Sequence, residues 1–189
     1  MELLKNRIKK DGVVIEDKVL KVDSFLNHQI DVKLFNEMGK EFKTRFKDKE
    51  ITKILTIETS GIAVACIAAQ YFNVPVVFAK KHSGSNMDID SYESDVYSFT
   101  KKKEYKIKVS KKYINPQDKV LIIDDFLASG SAISGLIELV NKAKAEVTGV
   151  GIVIEKSFQG GRELIEERGI QLESLAIIDS MKSGVVNFR

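Results

Sequence analysis

The segment from Val120 to Ala132 constrains the fold most, because it joins a buried strand, two acids and a small-residue loop that leads into a helix. Val120 to Ile123 are apolar with polar neighbours on both sides, a pattern typical of a strand that is covered on both faces. Apolar residues then recur at helical spacing from Ile133 to Val140, so we predict that a helix begins at Ser131.

The loop after the acid pair suits the binding of a sugar phosphate. Backbone N–H groups at a helix N-terminus lack partners within the helix, and the helix dipole favours negative charge there. The carboxylates of Asp124 and Asp125 can accept hydrogen bonds from a diol such as that of ribose. The alternative is that both acids are solvated turn residues that cap the next helix. A Walker phosphate loop is excluded, because no lysine lies between Asp124 and Asn141.

Strand-like and helical patterns alternate along the rest of the chain. Predicted strands cover residues 54–57, 74–79, 120–123, 147–154 and 172–178, and predicted helices cover 34–46, 62–72, a stretch from 131, and 163–168. This alternation predicts an α/β fold with a mainly parallel central sheet flanked by helices. The polar stretch between Ala79 and Pro116 breaks the pattern. We predict that it forms a flexible antiparallel flap, at about residues 82–110, that closes over the site.

The composition predicts one domain over residues 1–189. A hydrophobic content of 43% supplies a substantial core at this length, and a net charge of +3 is too small to indicate nucleic acid as a ligand. The chain shows no signal-peptide core and no apolar run near ~18 residues, so we expect no membrane association and a cytoplasmic location. The single cysteine, Cys66, cannot form an internal disulfide and is predicted to be a small buried residue.

A second candidate anion site follows the predicted strand at 54–57. It comprises four residues, Glu58, Thr59, Ser60 and Gly61. The alternative is a plain helix N-cap, although a capped helix start can also bind an anion. Lys81 follows the next strand and can neutralise an anion, or it is part of a solvated basic pair with Lys80. The two histidines, His28 and His82, lack metal-site spacing, so we expect no metal held by protein ligands alone.

The segment from Val120 to Ala132 resembles the motif that binds phosphoribosyl pyrophosphate (PRPP) in the type I phosphoribosyltransferases. Residues 20–31, 57–63 and 155–162 resemble segments of the bacterial xanthine phosphoribosyltransferases, and the similarity runs to about Val186. The resemblance implies the type I phosphoribosyltransferase fold, with a small base-binding hood built from about residues 1–30 and 156–189. It also implies an enzyme of purine salvage that joins xanthine to PRPP, giving xanthosine 5′-monophosphate and diphosphate. A homodimer and Mg²⁺ carried by the diphosphate of PRPP are further implications.

The resemblance assigns a role to each candidate residue. Asp124 and Asp125 hold the ribose and, with Lys81, are the predicted catalytic residues. The 5′-phosphate loop consists of Ala128, Ser129, Gly130, Ser131 and Ala132, and the pyrophosphate loop consists of Glu58, Thr59, Ser60 and Gly61. Xanthine is held by Leu20, Asn27 and Lys156, which without the resemblance would be a core residue, a helix-entry residue and a surface lysine. Phe158 either stacks on the base or belongs to the core.

Base choice and protein class both have alternatives. Related enzymes that salvage hypoxanthine and guanine carry an acid where this chain has Ala128, and its loss favours xanthine, the more acidic purine. One alternative is a guanine or adenine phosphoribosyltransferase of the same fold. Another is a PRPP-sensing transcription regulator, which would need a DNA-binding module ahead of the motif, where we expect too little chain before the first core elements.

Overall fold

The computed structural model of the protein describes residues 1–82, 90–98 and 103–189. The described helices are α1 (Glu2–Asp11), α2 (Val32–Arg45), α3 (Ser60–Phe72), α4 (Ser131–Lys142) and α5 (Gly161–Glu166). A π-helical turn covers Asp23–Asn27, and 3-10 turns cover Lys111–Tyr113 and Ser157–Gln159. The described strands are β1 (Val13–Ile15), β2 (Val19–Lys21), β3 (Lys53–Ile57), β4 (Val76–His82), β5 (Ser91–Ser98), β6 (Lys103–Ser110), β7 (Lys119–Leu127), β8 (Glu146–Lys156), β9 (Leu172–Lys182) and β10 (Val185–Phe188).

Eight of the described strands form one sheet in the order β10-β9-β8-β7-β3-β4-β6-β5. The five central strands, from β9 to β4, are parallel, whereas β10 pairs with β9, β6 with β4, and β5 with β6 in antiparallel fashion. The remaining pair, β1 and β2, is a separate antiparallel hairpin. These pairings confirm the predicted mainly parallel sheet, and the β5–β6 pair confirms the antiparallel pairing predicted for the flap.

The core lies on both faces of the sheet. Leu121 and Ile123 of β7 pack in a cluster with apolar residues of α1, α2 and α3, whereas Val120 and Ile122 pack in a second cluster with residues of α4 and α5. All four side chains are fully buried. The apolar run therefore has the two covered faces that the sequence predicted.

Helix α2 shows how the helical stripe in the sequence builds one of these clusters. Leu34, Phe35, Met38 and Phe42 recur at helical spacing, and all four are buried. The helix begins after Asp31, whose carboxylate accepts a hydrogen bond from the Leu34 backbone N–H at 3.1 Å. The apolar face of α2 therefore covers the sheet.

The structure differs from the predictions in several places. Strand β7 continues to Leu127, so the acid pair lies within the strand and not after it. Cys66 is exposed, and its predicted burial is wrong, because α3 buries the stripe that contains Ala65 and Ala68 while Cys66 lies outside that stripe. Helix α1, the β1–β2 hairpin, the π-helical turn and β10 were not predicted.

Of the predicted flap, residues 83–89 and 99–102 lie outside the described residues. No helix in the described part of the chain is long and apolar enough to span a membrane.

We expect Phe42→Ala to destabilise the protein by about 3–5 kcal/mol, because it removes a buried ring and leaves a cavity between α2 and the sheet. Phe158→Ala is the matched control, since that ring is 46% exposed and its truncation should change the free energy of unfolding little. Chemical denaturation of both variants measures the difference. Equal stability losses would contradict the assignment of Phe42 to the core.

Candidate active site

The acid pair lies at the carboxyl end of the central strand. Asp124 is 5% exposed, and Asp125 is half-buried. The Asp125 backbone N–H donates to Asp124 Oδ1 at 2.9 Å, and the Phe126 backbone N–H donates to Asp125 Oδ1 at 3.0 Å. Burial raises the pKa of Asp124 well above its usual range, and the neighbouring Asp125 charge adds to this rise. Burial also raises the pKa of Asp125.

The strands around β7 create space beside these acids. The ladder between β3 and β7 ends at the pair Leu55 and Ile122, whereas β7 stays paired with β8 as far as Leu127. Asp124 and Asp125 therefore lie beyond the point where β3 and β7 stop pairing. In open α/β sheets, a crevice outside the carboxyl ends of the strands is the usual place for a ligand.

The loop at Glu58–Gly61 lies against the acid pair. A Cβ atom on Gly61 would lie 2.7 Å from Asp124 Oδ1 and 2.2 Å from Thr56 Oγ1, so only a glycine allows this approach. The peptide between Glu58 and Thr59 is cis. Thr59 is the N-cap residue of α3, but its side chain makes no capping hydrogen bond. The structure therefore does not contain the alternative considered for this loop, a helix start that is capped by a side chain.

Lys81 belongs to the same group of residues. Its backbone N–H donates to Glu58 Oε1 at 2.6 Å, which ties the end of β4 to the Glu58–Gly61 loop. The Lys81 ammonium group lies 5.7 Å from the centre of the Tyr105 ring. Its positive charge opposes the rise in the pKa of Asp124, although burial outweighs it. The structure therefore brings together Lys81, the acid pair and the Glu58–Gly61 loop.

The small-residue loop from Ala128 to Ala132 connects β7 to α4. Gly130, with φ of 82°, is the N-cap residue of α4 and Ser131 is the first helical residue, as predicted. The loop rests on Gly161, whose backbone N–H donates to the Ala128 carbonyl oxygen at 3.1 Å. A Cβ atom on Gly161 would lie 2.4 Å from that oxygen, so the contact between the two segments requires a glycine.

A pocket of about 180 Å³ lies over this loop. Besides the loop itself, its lining includes Tyr97, Tyr105, Phe126 and Gln159. Sequence reasoning did not identify these side chains as part of the site. Phe126 directly follows the acid pair, which was the available signal, whereas Tyr105 and Gln159 reach the pocket from distant segments.

Lys156 ends strand β8 beside the N-terminal hairpin. Its ammonium group donates to the Lys18 carbonyl oxygen at 3.0 Å and lies 5.9 Å from the centre of the Phe126 ring. Burial lowers the pKa of Lys156. The structure thus places this lysine between the turn of the β1–β2 hairpin and the aromatic residue that follows the acids.

The other predicted base-site residues lie in the N-terminal segment. Leu20 is on β2 and is buried, and Asn27 is the exposed last residue of the π-helical turn. Within the described ranges, no hydrogen bond joins Asn27 to Lys156. Phe158 is exposed, so the alternative that it belongs to the core is wrong.

Comparisons with known proteins agree with this geometry. The model of the family described as "Phosphoribosyl transferase domain" matches residues 21–186. The chain belongs to this family. The predicted family and its type I fold are thereby confirmed.

Curated relatives are similar over the full chain. A protein of Clostridium novyi named xanthine phosphoribosyltransferase is 71% identical, with 100% of both chains covered. A protein of Clostridium tetani with the same name is 65% identical, again with 100% of both chains covered.

Solved structures share the fold at low identity. The adenine phosphoribosyltransferase of Giardia lamblia, in complex with 9-deazaadenine, has a TM-score of 0.77 at 22% identity, covering 92% of this chain and 96% of that chain. The enzyme of the same name from Rhodothermus marinus has a TM-score of 0.75 at 21% identity, covering 94% and 100%. At this identity, the likeness shows the fold alone.

The raised pKa of Asp124 predicts that Asp124→Asn stabilises the fold near neutral pH. A buried carboxyl with a raised pKa supports folding while it is protonated and loses that support as the pH rises through its folded-state pKa. Asparagine carries no charge and keeps an oxygen that can accept from the Asp125 backbone N–H. We expect a melting temperature a few degrees above that of the wild type at about pH 8, with a smaller difference at about pH 5.

Thermal unfolding of both proteins across this pH range provides the measurement. Asp179→Asn is the control, because a hydrogen bond from Ser157 and an exposed ion pair with Arg189 lower the pKa of Asp179. That variant should show no gain at the upper pH. An Asp124→Asn protein that is less stable than the wild type there would contradict the prediction.

Proposed function

We propose that this site transfers the phosphoribosyl group of PRPP to xanthine, producing xanthosine 5′-monophosphate and diphosphate in purine salvage. The observation that carries the proposal is the position of the acid pair, between the Glu58–Gly61 loop that lies against it and the Ala128–Ala132 loop that follows β7. A PRPP molecule carries a ribose diol between a 5′-phosphate and a 1-diphosphate. The site has the same order, with the acid pair between two loops that can each bind an anion. The full-length similarity to proteins named xanthine phosphoribosyltransferase supports the choice of base.

Each group of residues has one task in the proposed reaction. Asp124 and Asp125 accept hydrogen bonds from the ribose hydroxyls. The loop at Ala128–Ala132 binds the 5′-phosphate through backbone N–H groups at the start of α4. The loop at Glu58–Gly61 binds the pyrophosphate, and Lys81 neutralises part of its charge. These contacts hold the ribose C1 atom in line between the base nitrogen and the leaving pyrophosphate, which is the main catalytic contribution of the protein.

The donor set also fits Mg²⁺ carried by PRPP. Two neighbouring carboxylates and the phosphate oxygens are hard oxygen ligands of the type that Mg²⁺ prefers, with few protein ligands and several waters. No group of three or more His, Cys, Asp or Glu residues suited to a metal occurs among residues 1–82, 90–98 and 103–189. When bound, Mg²⁺ would supply charge neutralisation for the diphosphate.

The base lies, in this proposal, between the N-terminal and C-terminal segments that form the hood. These segments contact each other, since the Gly184 backbone N–H donates to Asp17 Oδ1 at 3.3 Å and Lys5 Nζ donates to the Arg189 carbonyl oxygen at 2.7 Å. One N–H of the Lys156 ammonium group already binds the hairpin turn, and the other two are left for the 6-oxo group of xanthine. Asn27 offers a donor and an acceptor to the 2-oxo edge, and Leu20 packs against the ring.

The family resemblance also supports a cytoplasmic homodimer, with the chain folded as one domain over residues 1–189. The segment at about 82–110 is proposed as the flap that closes over PRPP and excludes water from the reacting centre. The described part of that flap is anchored on α4, because Ser94 Oγ donates to Glu138 Oε2 at 2.6 Å and Lys142 Nζ donates to the Glu93 carbonyl oxygen at 2.6 Å.

The ribose assignment is tested by Asp124→Asn combined with Asp125→Asn. We expect the double variant to fold and to lose at least about a hundredfold in kcat/KM for PRPP, because amide groups replace two acceptors of charged hydrogen bonds. Circular dichroism and a turnover assay are measured on the same preparation. Glu163→Gln, at an exposed position of α5, is the control that keeps its activity. Wild-type rates in the double variant would refute the ribose assignment.

Base choice is tested by competition of four purines for limiting PRPP. We expect xanthine to be preferred about tenfold or more over guanine and hypoxanthine, since the 2-amino group of guanine is less well placed for Asn27 and hypoxanthine offers nothing at the 2-position. Adenine should be disfavoured about a thousandfold, because its amino group faces the donor of Lys156. Lys156→Met should remove most of the discrimination against adenine, whereas Lys182→Met, at an exposed lysine of β9, should not. Adenine or hypoxanthine as the best substrate would overturn the base-site assignment.

A further inference from the structure

Glu155 is a fully buried carboxylate beside the site that the proposed chemistry does not use. Its two oxygens are bound by one guanidinium group, with Arg162 Nε donating to Oε1 at 2.8 Å and Arg162 Nη2 donating to Oε2 at 2.6 Å. The hydroxyl of Ser174, on β9, donates to Oε2 as well. Arg162 also donates to the exposed Glu166 at 2.7 Å. The pairing with Glu155 raises the pKa of Arg162, so the guanidinium group is charged.

The two partners flank the segment 156–161. Glu155 directly precedes Lys156, the proposed base-binding lysine. Arg162 directly follows Gly161, whose backbone N–H donates to the carbonyl oxygen of Ala128 in the phosphate loop. Glu155 is also the strand partner of Leu127, the residue before that loop. The ion pair therefore joins the two ends of a segment that contacts the base site at one end and the phosphate loop at the other.

The segment also contributes to the pocket over the phosphate loop. Gln159, midway along it, lines that pocket. Gly161 approaches the loop so closely that a Cβ atom would lie 2.9 Å from the Gly130 nitrogen. A shift of Arg162 would therefore move Gly161 and the backbone that is proposed to bind the 5′-phosphate.

Stability alone explains a buried ion pair poorly. The desolvation of two charges offsets most of their attraction, and apolar residues of similar volume are often as stable or more stable. The bidentate geometry does, however, fix the distance and orientation of the two chain ends, because the planar guanidinium group allows one arrangement of both hydrogen bonds.

We propose that Glu155 and Arg162 are a positioning pair that holds Lys156 and the Ala128–Ala132 loop in fixed relation, so that the base and PRPP bind in reacting geometry. The proposal rests on the proposed function for the role of Lys156. Neither residue touches the substrate in this proposal. The pair acts through Lys156 on one side and through Gly161 on the other.

The test variant combines Glu155→Gln with Arg162→Met. It removes both charges, so no unpaired charge stays buried, and the new amide side chain keeps an oxygen for the Ser174 hydroxyl. We expect a folded protein whose melting temperature is within a few degrees of the wild type. The Kd for PRPP with Mg²⁺, measured by calorimetry, should rise about tenfold, and kcat/KM for xanthine should fall about 10- to 100-fold. Arg162→Lys keeps the charge but loses the bidentate contact, and it should fall between the wild type and the double variant.

The control is a second buried pair, near the amino ends of the parallel strands β3 and β7. Lys53 Nζ lies 2.8 Å from Asp118 Oδ2, and both of these side chains are less exposed than that of Arg162. Lys53→Met combined with Asp118→Asn should change the melting temperature without changing the Kd for PRPP.

The outcomes separate the inference from the proposed function. Unchanged PRPP binding and unchanged kcat/KM in the folded double variant would overturn the positioning role. If the double variant does not fold, the Kd for PRPP and kcat/KM are measured on Arg162→Lys instead. Wild-type values of both in that variant would overturn the proposal. If the wild-type protein binds PRPP but does not turn over xanthine, the proposed substrate is refuted. The Kd for PRPP of the double variant, compared with that of the wild type, would still test the role of the pair.

Discussion

The structure depends on the burial of strand β7 at the centre of the sheet. Its first half is apolar and packs against helices on both faces, and this packing fixes its position. Its second half carries two acids into the same buried environment, beyond the last pair with β3. The packing of the first half therefore holds the carboxylates where water cannot fully solvate them. Both acids consequently bind protons more tightly than solvated acids do.

This environment explains why the site is suited to a ligand. The buried Asp124 carboxylate and its neighbour Asp125 repel each other when both are charged. In the proposed function, the ribose hydroxyls and cations that PRPP would bring relieve this repulsion. A site of this kind lowers the stability of the free protein near neutral pH, and a ligand can recover that free energy on binding. The two loops around the acids add backbone N–H groups, which favour anions without adding further charge to the protein.

The contacts among the loops show how the parts of the site are held together. Gly61 lies against Asp124, and Gly161 lies against the Ala128 carbonyl oxygen, so two glycines set the spacing between the loops and the central strand. The Glu155–Arg162 ion pair joins the two ends of segment 156–161, on the other side of the Ala128–Ala132 loop. Close backbone packing is more rigid than side-chain contact, because it leaves no rotamers to exchange.

The sequence by itself determined the order of the central elements, the strand covered on both faces and the start of α4 at Ser131, because local periodicity and turn residues carry that information. It also determined the family, through the acid pair and the loop that follows. Only the tertiary structure decided that β7 extends through the acids to Leu127, since pairing with β8 outweighs the polarity of the acid pair. The exposure of Cys66 depends on which face of α3 meets the sheet, and α3 is apolar on most of its circumference. Gly161, Gln159 and Tyr105 meet the Ala128–Ala132 loop or its pocket from segments far apart in the chain, and periodicity does not record such contacts.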